Sequence, residues 1–457
     1  MSYSYSHIYF VGIGGIGMSN LARYFNTRGK TVAGYDKTET PLTRQLQAEG
    51  IEVHYTEDPA AIPLDFLHPT TTLVVRTPAV PEDHAELRFF HKNGYTILKR
   101  AQVLGAVSRD SRGLCIAGTH GKTTTTTLTA HLLRQSHVDC NAFLGGISNN
   151  YDTNLLLSEQ SDLTVIEADE YDRSFHQLTP YMAVITSVDA DHLDIYKTHQ
   201  EYLESFAHFT ELIRPEGCLV IKKGLPLKYR LKEGVKAYTY AVEEKADFYA
   251  DNLRYADGRL FFDFYYPGGT LSGMELGVPI RINVENAVAA MALAHLNGVT
   301  DAELRSGLAG FRGSKRRFDF QIRRDDFVFL DDYAHHPEEL RASIRSIRAL
   351  YPNKTLTAIF QPHLYSRTQD FAPEFAEVLS EVDDLILLDI YPAREKPIPG
   401  VTSQLILDQV TLSSKRITSL DKVFEVLDQK KPEILVTLGA GSIDTLVPEL
   451  KKRFEKC

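Results

Sequence analysis

Short apolar runs alternate along this chain with stretches whose apolar residues recur every three or four positions. His7-Ile8-Tyr9-Phe10-Val11 predicts a buried strand, and Met18, Leu21, Ala22 and Phe25 share one side of the helix that follows. Gly29 ends that helix, and Thr31-Val32-Ala33-Gly34-Tyr35 predicts the next strand. Strand, turn, helix and strand within about thirty residues form the opening unit of a doubly wound sheet. Leu73-Val74-Val75 and Tyr95-Thr96-Ile97-Leu98 predict further strands, and the polar stretch 108–112 marks a boundary.

The pattern then restarts. Leu114-Cys115-Ile116-Ala117 predicts a strand, a glycine turn follows, and 124–134 reads as helix despite its threonines. Residues 163–166 and 182–185 predict buried strands, and Thr198 with Glu201 has capping-box spacing before a helix carrying Leu203, Phe206 and Phe209. An antiparallel strand is expected at 259–266, a helix face at Val284, Ala287, Val288 and Met291, and a second capped helix from Thr300 to Gly310. A third block starts near Phe318, with strands expected at 327–330, 356–360, 385–388 and 434–438 and with Pro337 suited to a helical first turn. The length of 457 residues fits three domains at roughly 150 residues each. The expectation is an α/β chain divided at 1–108, 109–317 and 318–457.

Composition narrows the function classes. Fifty Lys and Arg against sixty Asp and Glu leave a net charge of −10, which argues against a broad nucleic-acid surface while leaving room for a local basic pocket. Cys115, Cys140, Cys218 and Cys457 lie far apart and form no CxxC pair, as expected in a reducing compartment. No apolar run reaches the ~20 residues of a membrane span, and no secretory pattern opens the chain. A cytoplasmic protein without membrane insertion is expected.

Two glycine-rich turns carry the first chemistry. Gly12-Ile13-Gly14-Gly15-Ile16-Gly17 matches GxGxxG after a strand, where a missing Cβ lets backbone N–H groups approach a diphosphate at the helix start. Asp36, at the end of the second strand, is placed to accept from ribose hydroxyls. Gly118-Thr119-His120-Gly121-Lys122-Thr123, with Thr124 next, is a phosphate loop one glycine short of the usual pattern, Ile116 standing at the missing position. Its amides can surround phosphate oxygens, Lys122 can neutralise the β and γ oxygens, and Thr123 can offer a hydroxyl to Mg²⁺; the alternative is a threonine-rich helix start with a surface lysine. A nicotinamide-linked oxidoreductase, which the first turn alone allows, needs no second loop of this kind. Two phosphorylated substrates do, so ATP-dependent transfer or ligation is expected.

Acids and imidazoles gather after the next predicted strands. Glu167, followed by Asp169 and Glu170, ends one strand and is a candidate Mg²⁺ ligand, with a cap or surface salt bridge as the alternative. His192 follows another, either as a metal ligand better suited to a second ion or to Mn²⁺, or as a cation stabilised among Asp189 and Asp191. Asn283 and Asn286 suit a purine edge or a helix cap, and Arg317 in Lys315-Arg316-Arg317 reaches a γ-phosphate or belongs to a plain basic loop. In the third block Asp332 or His335 is suited to orient an amine, while His363 and Arg367 are suited to hold a carboxylate.

In order and spacing, HIYFVGIGGIGMS, GTHGKTTTT, EADEYDRSF, TSVDADHLDIY, NVENAVAA, RRFDF, DDYAHHPEEL and FQPHLYSRTQDF resemble the Mur ligase family, from His7 to Thr445. The resemblance implies three domains: an N-terminal Rossmann-like domain for a UDP-sugar, a central P-loop ATPase domain, and a C-terminal Rossmann-like domain that helps bind an amino acid. It implies that ATP phosphorylates the lactyl carboxylate of UDP-N-acetylmuramate and that L-alanine captures the acyl phosphate through a tetrahedral intermediate. It further implies a role in peptidoglycan precursor synthesis, for a monomer or weak homodimer. By motif position, Gly14, Gly15, Ile16, Gly17 and Met18 correspond to the UDP-sugar loop, Lys122 to the phosphate-binding lysine, and Thr123, Glu167 and His192 to metal ligands. Asn283 and Asn286 correspond to adenine-side asparagines, Arg317 to an ATP-phosphate arginine, and Tyr333, His336, His363 and Arg367 to the amino-acid side. Leu364 stands where an arginine is common, Gln102 where glutamate is usual, and Ser442 where aspartate is usual. Tyr171 resembles the peptide-adding members of the family, whereas FQPHLYSRT resembles the alanine-adding ones, so alanine is the expected amine.

Overall fold

The computed structural model describes residues 5–455 apart from 394 and 430, and omits the side chains of 193, 194 and 429; Cys457 therefore lies outside the described residues. Three sheets form, one in each patterned block. The first contains β1 (His7–Val11), β2 (Thr31–Tyr35), β3 (Glu52–His54), β4 (Thr72–Arg76) and β5 (Thr96–Lys99), ordered β3-β2-β1-β4-β5. All its pairings are parallel. The order reverses at β1, and in open α/β sheets a ligand crevice lies beyond the strand ends at that point. The Gly12–Gly17 turn leaves β1 there and leads into the helix Ile16–Thr27.

The second sheet contains β6 (Arg112–Ala117), β7 (Asn141–Phe143), β8 (Leu155–Leu156), β9 (Leu163–Glu167), β10 (Met182–Ile185), β11 (Cys218–Lys222), β12 (Lys236–Val242), β13 (Phe248–Ala256), β14 (Arg259–Tyr266) and β15 (Gly269–Leu276). Its order is β15-β14-β13-β12-β11-β10-β6-β9-β7-β8. β9, β6 and β10 are parallel neighbours, so their carboxyl ends meet at one edge. Residues 114–117 of β6 are fully buried, as a strand covered on both faces requires. The strand expected at 259–266 forms, but its neighbours β13 and β15 were not foreseen. Much of β13 is exposed, so it lacks the apolar run that marks a core strand.

The third sheet contains β16 (Asp319–Arg323), β17 (Val328–Asp332), β18 (Leu356–Phe360), β19 (Asp384–Leu388), β20 (Lys415–Thr418) and β21 (Ile434–Leu438), ordered β16-β17-β21-β18-β19-β20. It is parallel except for β16, which pairs antiparallel to β17 with a bulge between Phe320 and Ile322. The chain folds as two compact units: 1–251 with 263–272 and 285–310, and 252–262 with 273–284 and 311–457. The first sheet and strands β6 to β12 of the second thus share a unit, with β13, β14 and β15 divided between the two, whereas the sequence pattern treats the first two blocks as separate domains. Among the described residues no helix is long and apolar enough to cross a membrane.

Candidate active site

The second glycine turn is held open by its neighbours. Gly118 has φ +143 and Gly121 has φ +81, backbone states that side chains other than glycine's rarely adopt. A Cβ on Gly118 would collide with Thr186 Oγ1, and one on Gly121 would lie 2.5 Å from Asn286 Oδ1. Residues following β10 brace the loop: Thr186 Oγ1 donates to His120 O (2.5 Å), His120 N donates to Ser187 Oγ (2.8 Å), and Thr119 N donates to Ser187 O (3.2 Å). Thr119 Oγ1 also donates to Asp189 O (2.8 Å). Lys122 is the first residue of the helix Lys122–Arg134, which therefore starts two residues before the predicted 124. Its ammonium donates to Gly118 O (2.6 Å) and lies 2.8 Å from both oxygens of Glu170. Burial pushes the Glu170 carboxyl above its ordinary range, and Lys122 pulls it back.

Thr123 Oγ1 donates to Glu167 Oε1 at 3.1 Å, so the two expected oxygen ligands are adjacent. A Cβ on Gly145 would collide with the Glu167 carboxylate, so the chain leaves room for that group. Among the described residues no group of three or more His, Cys, Asp or Glu is arranged to hold a metal ion. A hydroxyl and a carboxylate are hard oxygen donors of the kind that suit Mg²⁺, an ion that keeps several waters. His192 is placed with other acids, its Nε2 3.9 Å from Glu170 Oε1 and 3.7 Å from Asp191 Oδ2, and its backbone is left-handed at φ 51. Thr125 Oγ1 donates to Asn286 Oδ1 (3.2 Å) beside the phosphate loop, and Asn283 Nδ2 donates to Val278 O (3.3 Å).

The first turn is organised by an acid. Gly14 N donates to Asp36 Oδ2 (2.7 Å) and Thr38 N to Asp36 Oδ1 (3.2 Å), so the residue expected at a ribose also fastens the turn. A Cβ on Gly14 would lie 2.8 Å from both Asp36 Oδ2 and Thr43 Cγ2. Met18 is buried in the core and its N–H donates to Gly15 O (3.0 Å). Helix geometry leaves the first-turn N–H groups of Ile16 and Gly17 without intrahelical acceptors.

In the other unit, polar groups meet at the carboxyl ends of β17, β21 and β18. The Tyr333 ring faces the guanidinium carbons of Arg316 (5.1 Å) and Arg317 (5.3 Å). His335 Nδ1 donates to Tyr333 O (2.9 Å), and its ring meets His363 edge-on with centroids 5.9 Å apart. His363 stacks on Tyr391, and Arg367 Nη1 lies 3.4 Å from His363 Nδ1. Desolvation pushes the Asp332 carboxyl up to about 6 against the pull of Arg317, and burial lowers His335. His336 caps the helix Pro337–Leu350, its Nδ1 accepting from Glu338 N at 3.4 Å.

Three family models match this chain in succession. They describe the Mur ligase family catalytic domain (residues 7–112), the Mur ligase middle domain (116–294) and the Mur ligase glutamate ligase domain (316–441). The chain belongs to the Mur ligase family. It is similar to a UDP-N-acetylmuramate–L-alanine ligase of Parabacteroides distasonis, 58% identical over 445 residues that cover 97% of this chain and 96% of that protein. Among solved structures it resembles the UDP-N-acetylmuramate–alanine ligase MurC of Thermotoga maritima, with a TM-score of 0.83, 25% identity and 98% and 99% of the two chains covered. A murein peptide ligase of Psychrobacter arcticus shares the fold, with a TM-score of 0.68 at 21% identity over 98% of each chain.

This Mur ligase thus has the three-domain architecture expected from its motifs. Within the first unit, Lys122, Thr123, Glu167, His192 and Asn286 come together with Glu170, to which the sequence alone assigned no role. Within the second, Arg317, Tyr333, His335, His363 and Arg367 gather. Thr186 and Ser187, which brace the phosphate loop, and Arg100, which reaches the first turn, were missed. Arg100 directly follows β5, and its place at a strand's carboxyl end was the available signal.

Proposed function

We propose that this chain catalyses the ATP-dependent ligation of L-alanine to UDP-N-acetylmuramate, releasing ADP and phosphate. The observation that carries this reading is 58% identity to an enzyme of that name across nearly the whole of both chains. The phosphate loop, with its lysine and its pair of oxygen donors, supplies the chemistry that such a ligation requires. UDP-sugar binding is assigned to 1–108, ATP binding to 109–317 and amino-acid binding to 318–457. The setting is peptidoglycan precursor synthesis in the cytoplasm, by a monomer or weak homodimer.

A carboxylate resists amide formation because oxide is a poor leaving group, and phosphorylation cures this. A lactyl carboxylate oxygen attacks the γ-phosphorus of ATP, the bond to the β-phosphate oxygen breaks, and ADP leaves. The alanine amine then adds to the acyl carbon, loses a proton, and the tetrahedral intermediate collapses with release of phosphate. Loop amides from Gly118 to Thr124 hold the nucleotide phosphates, and Lys122 exchanges Glu170 for the β and γ oxygens. Thr123 and Glu167 would hold Mg²⁺, with His192 completing the set or taking a second ion such as Mn²⁺, and a bound ion would supply neutralisation of charge on the phosphates. Asn283 and Asn286 face the adenine side, and Arg317 stabilises the transferring phosphoryl group. Gly14 to Met18 with Asp36 hold the UDP-sugar. Arg367 and His363 bind the alanine carboxylate, with Tyr333 and His336 beside them.

The test is ADP release with UDP-N-acetylmuramate, ATP and a panel of amines: L-alanine, glycine, L-serine and the tripeptide used by peptide-adding members. Preference for L-alanine, with ¹⁸O passing from the lactyl carboxylate into phosphate, is expected. Preference for the tripeptide, or no transfer of label, would reject the reading.

A further inference from the structure

Arg100 is the first residue of the helix Arg100–Arg109, at the carboxyl end of β5 in the first sheet. Its guanidinium points two ways. Nη2 donates to Asp169 Oδ2 at 2.9 Å, while a Cβ added to Gly17 would collide with Nη1. Gly17 lies in the first turn of the helix Ile16–Thr27, whose free N–H groups give that end a partial positive charge. A cation held against the positive end of a helix is repelled, and Asp169 at 37% side-chain exposure screens only the other side of the group. An anion lodged between the helix start and Nη1 would satisfy both. The next acid in the chain, Glu170, holds Lys122 of the phosphate loop. Consecutive carboxylates therefore fasten one cation beside each glycine turn, Arg100 at the first and Lys122 at the second.

We propose that Arg100 is a substrate-binding residue that clamps the anionic part of the UDP-sugar against the first turn, and that Asp169 positions its guanidinium for this. The clamp rests on the proposed UDP-N-acetylmuramate specificity. Two oxyanions of that substrate have the required chemistry, the diphosphate and the lactyl carboxylate. UDP-N-acetylglucosamine separates them, because it keeps the diphosphate and lacks the carboxylate.

The experiment is calorimetric titration of the full chain and of its R100M, R100K and D169N variants with UDP-N-acetylmuramate, UDP-N-acetylglucosamine and MgATP, beside steady-state kinetics. R100M should weaken UDP-N-acetylmuramate by about 10- to 100-fold, the scale of a charge-assisted contact. R100K should recover part of the loss, and D169N should cost less than R100M. MgATP affinity should stay within about twofold, since Arg100 touches the other turn. The kinetic defect should appear in KM for the UDP-sugar more than in kcat. Equal weakening of both sugar nucleotides assigns the clamp to the diphosphate; weakening of the muramate alone assigns it to the carboxylate. Wild-type affinity for UDP-N-acetylmuramate in R100M, or an equal loss of MgATP affinity, would overturn the proposal. R100Q, which keeps donors for Asp169 and removes the charge, carries the same test if R100M does not fold. Failure of the wild type itself to bind UDP-N-acetylmuramate would instead reject the proposed function.

Discussion

Two glycine turns leave the carboxyl ends of parallel strands in one unit of this Mur ligase, and each acquires its charge differently. The turn after β6 carries its own cation, because Lys122 is the next residue and folds back onto Gly118 O. The turn after β1 has no such residue. Its Gly14 amide is held by Asp36, and the cation packed on Gly17 is Arg100, more than eighty residues further along the chain. The comparison teaches that a phosphate loop is a motif when the cation is local and a tertiary assembly when it is borrowed.

Substitutions that separate the two turns test this division. The largest effect is expected for Lys122→Ala, which removes the central cation of the phosphate loop. Ligation measured as ADP release should fall about a thousandfold, while calorimetric affinity for UDP-N-acetylmuramate stays unchanged. Equal loss of sugar-nucleotide affinity would mean that the two turns act as one site. Glu167→Gln comes next, with activity about a hundredfold lower and a raised Mg²⁺ requirement in a metal titration; an unchanged Mg²⁺ dependence would remove Glu167 from the metal site. Gly14→Ala is the matching test of the first turn. Its Cβ would crowd Asp36 and Thr43 at 2.8 Å, so affinity for UDP-N-acetylmuramate should fall about tenfold and MgATP affinity should hold.

The same contrast explains what was legible in the residues. Both turns, the acids of EADE and the strands of the parallel sheets announce themselves locally, through glycine spacing, contiguous polar residues and unbroken apolar runs. Lys122–Glu170 and Arg100–Asp169 span 48 and 69 residues, and no local spacing encodes such pairs. His336 shows the opposite limit: its motif marks it as a substrate residue, whereas its visible work is to cap a helix. β13 escaped because its residues face solvent, and β20 because it carries charged residues in a partly buried strand.

Each of the first two blocks holds a buried carboxylate, and the pair sharpens the comparison in its smallest measurable effect. Glu170 is buried beside a lysine. Glu86, fully buried in the first block, faces a phenol and an imidazole: Tyr9 donates to Glu86 Oε2 (2.9 Å) and lies 2.6 Å from His54 Nε2, which is 3.5 Å from Glu86 Oε1, and nearby the His84 ring packs on Tyr35 at 4.6 Å. Burial lowers both histidines, so they bring little positive charge, and desolvation pushes the Glu86 carboxyl from its ordinary 4.5 up to about 8. The native state therefore keeps this proton where the unfolded chain has lost it. Its contribution to stability is complete below about pH 4.5, drains away as the pH climbs to about 8, and changes no further above that. Glu86→Gln keeps the neutral shape and cannot ionise. Its melting temperature relative to wild type should be lowest near pH 4.5 and should rise by about 2–4 °C by pH 8.5 in scanning calorimetry. A difference that stays flat across that window would mean Glu86 is ionised in the folded protein, and the two buried acids would no longer stand for two kinds of site.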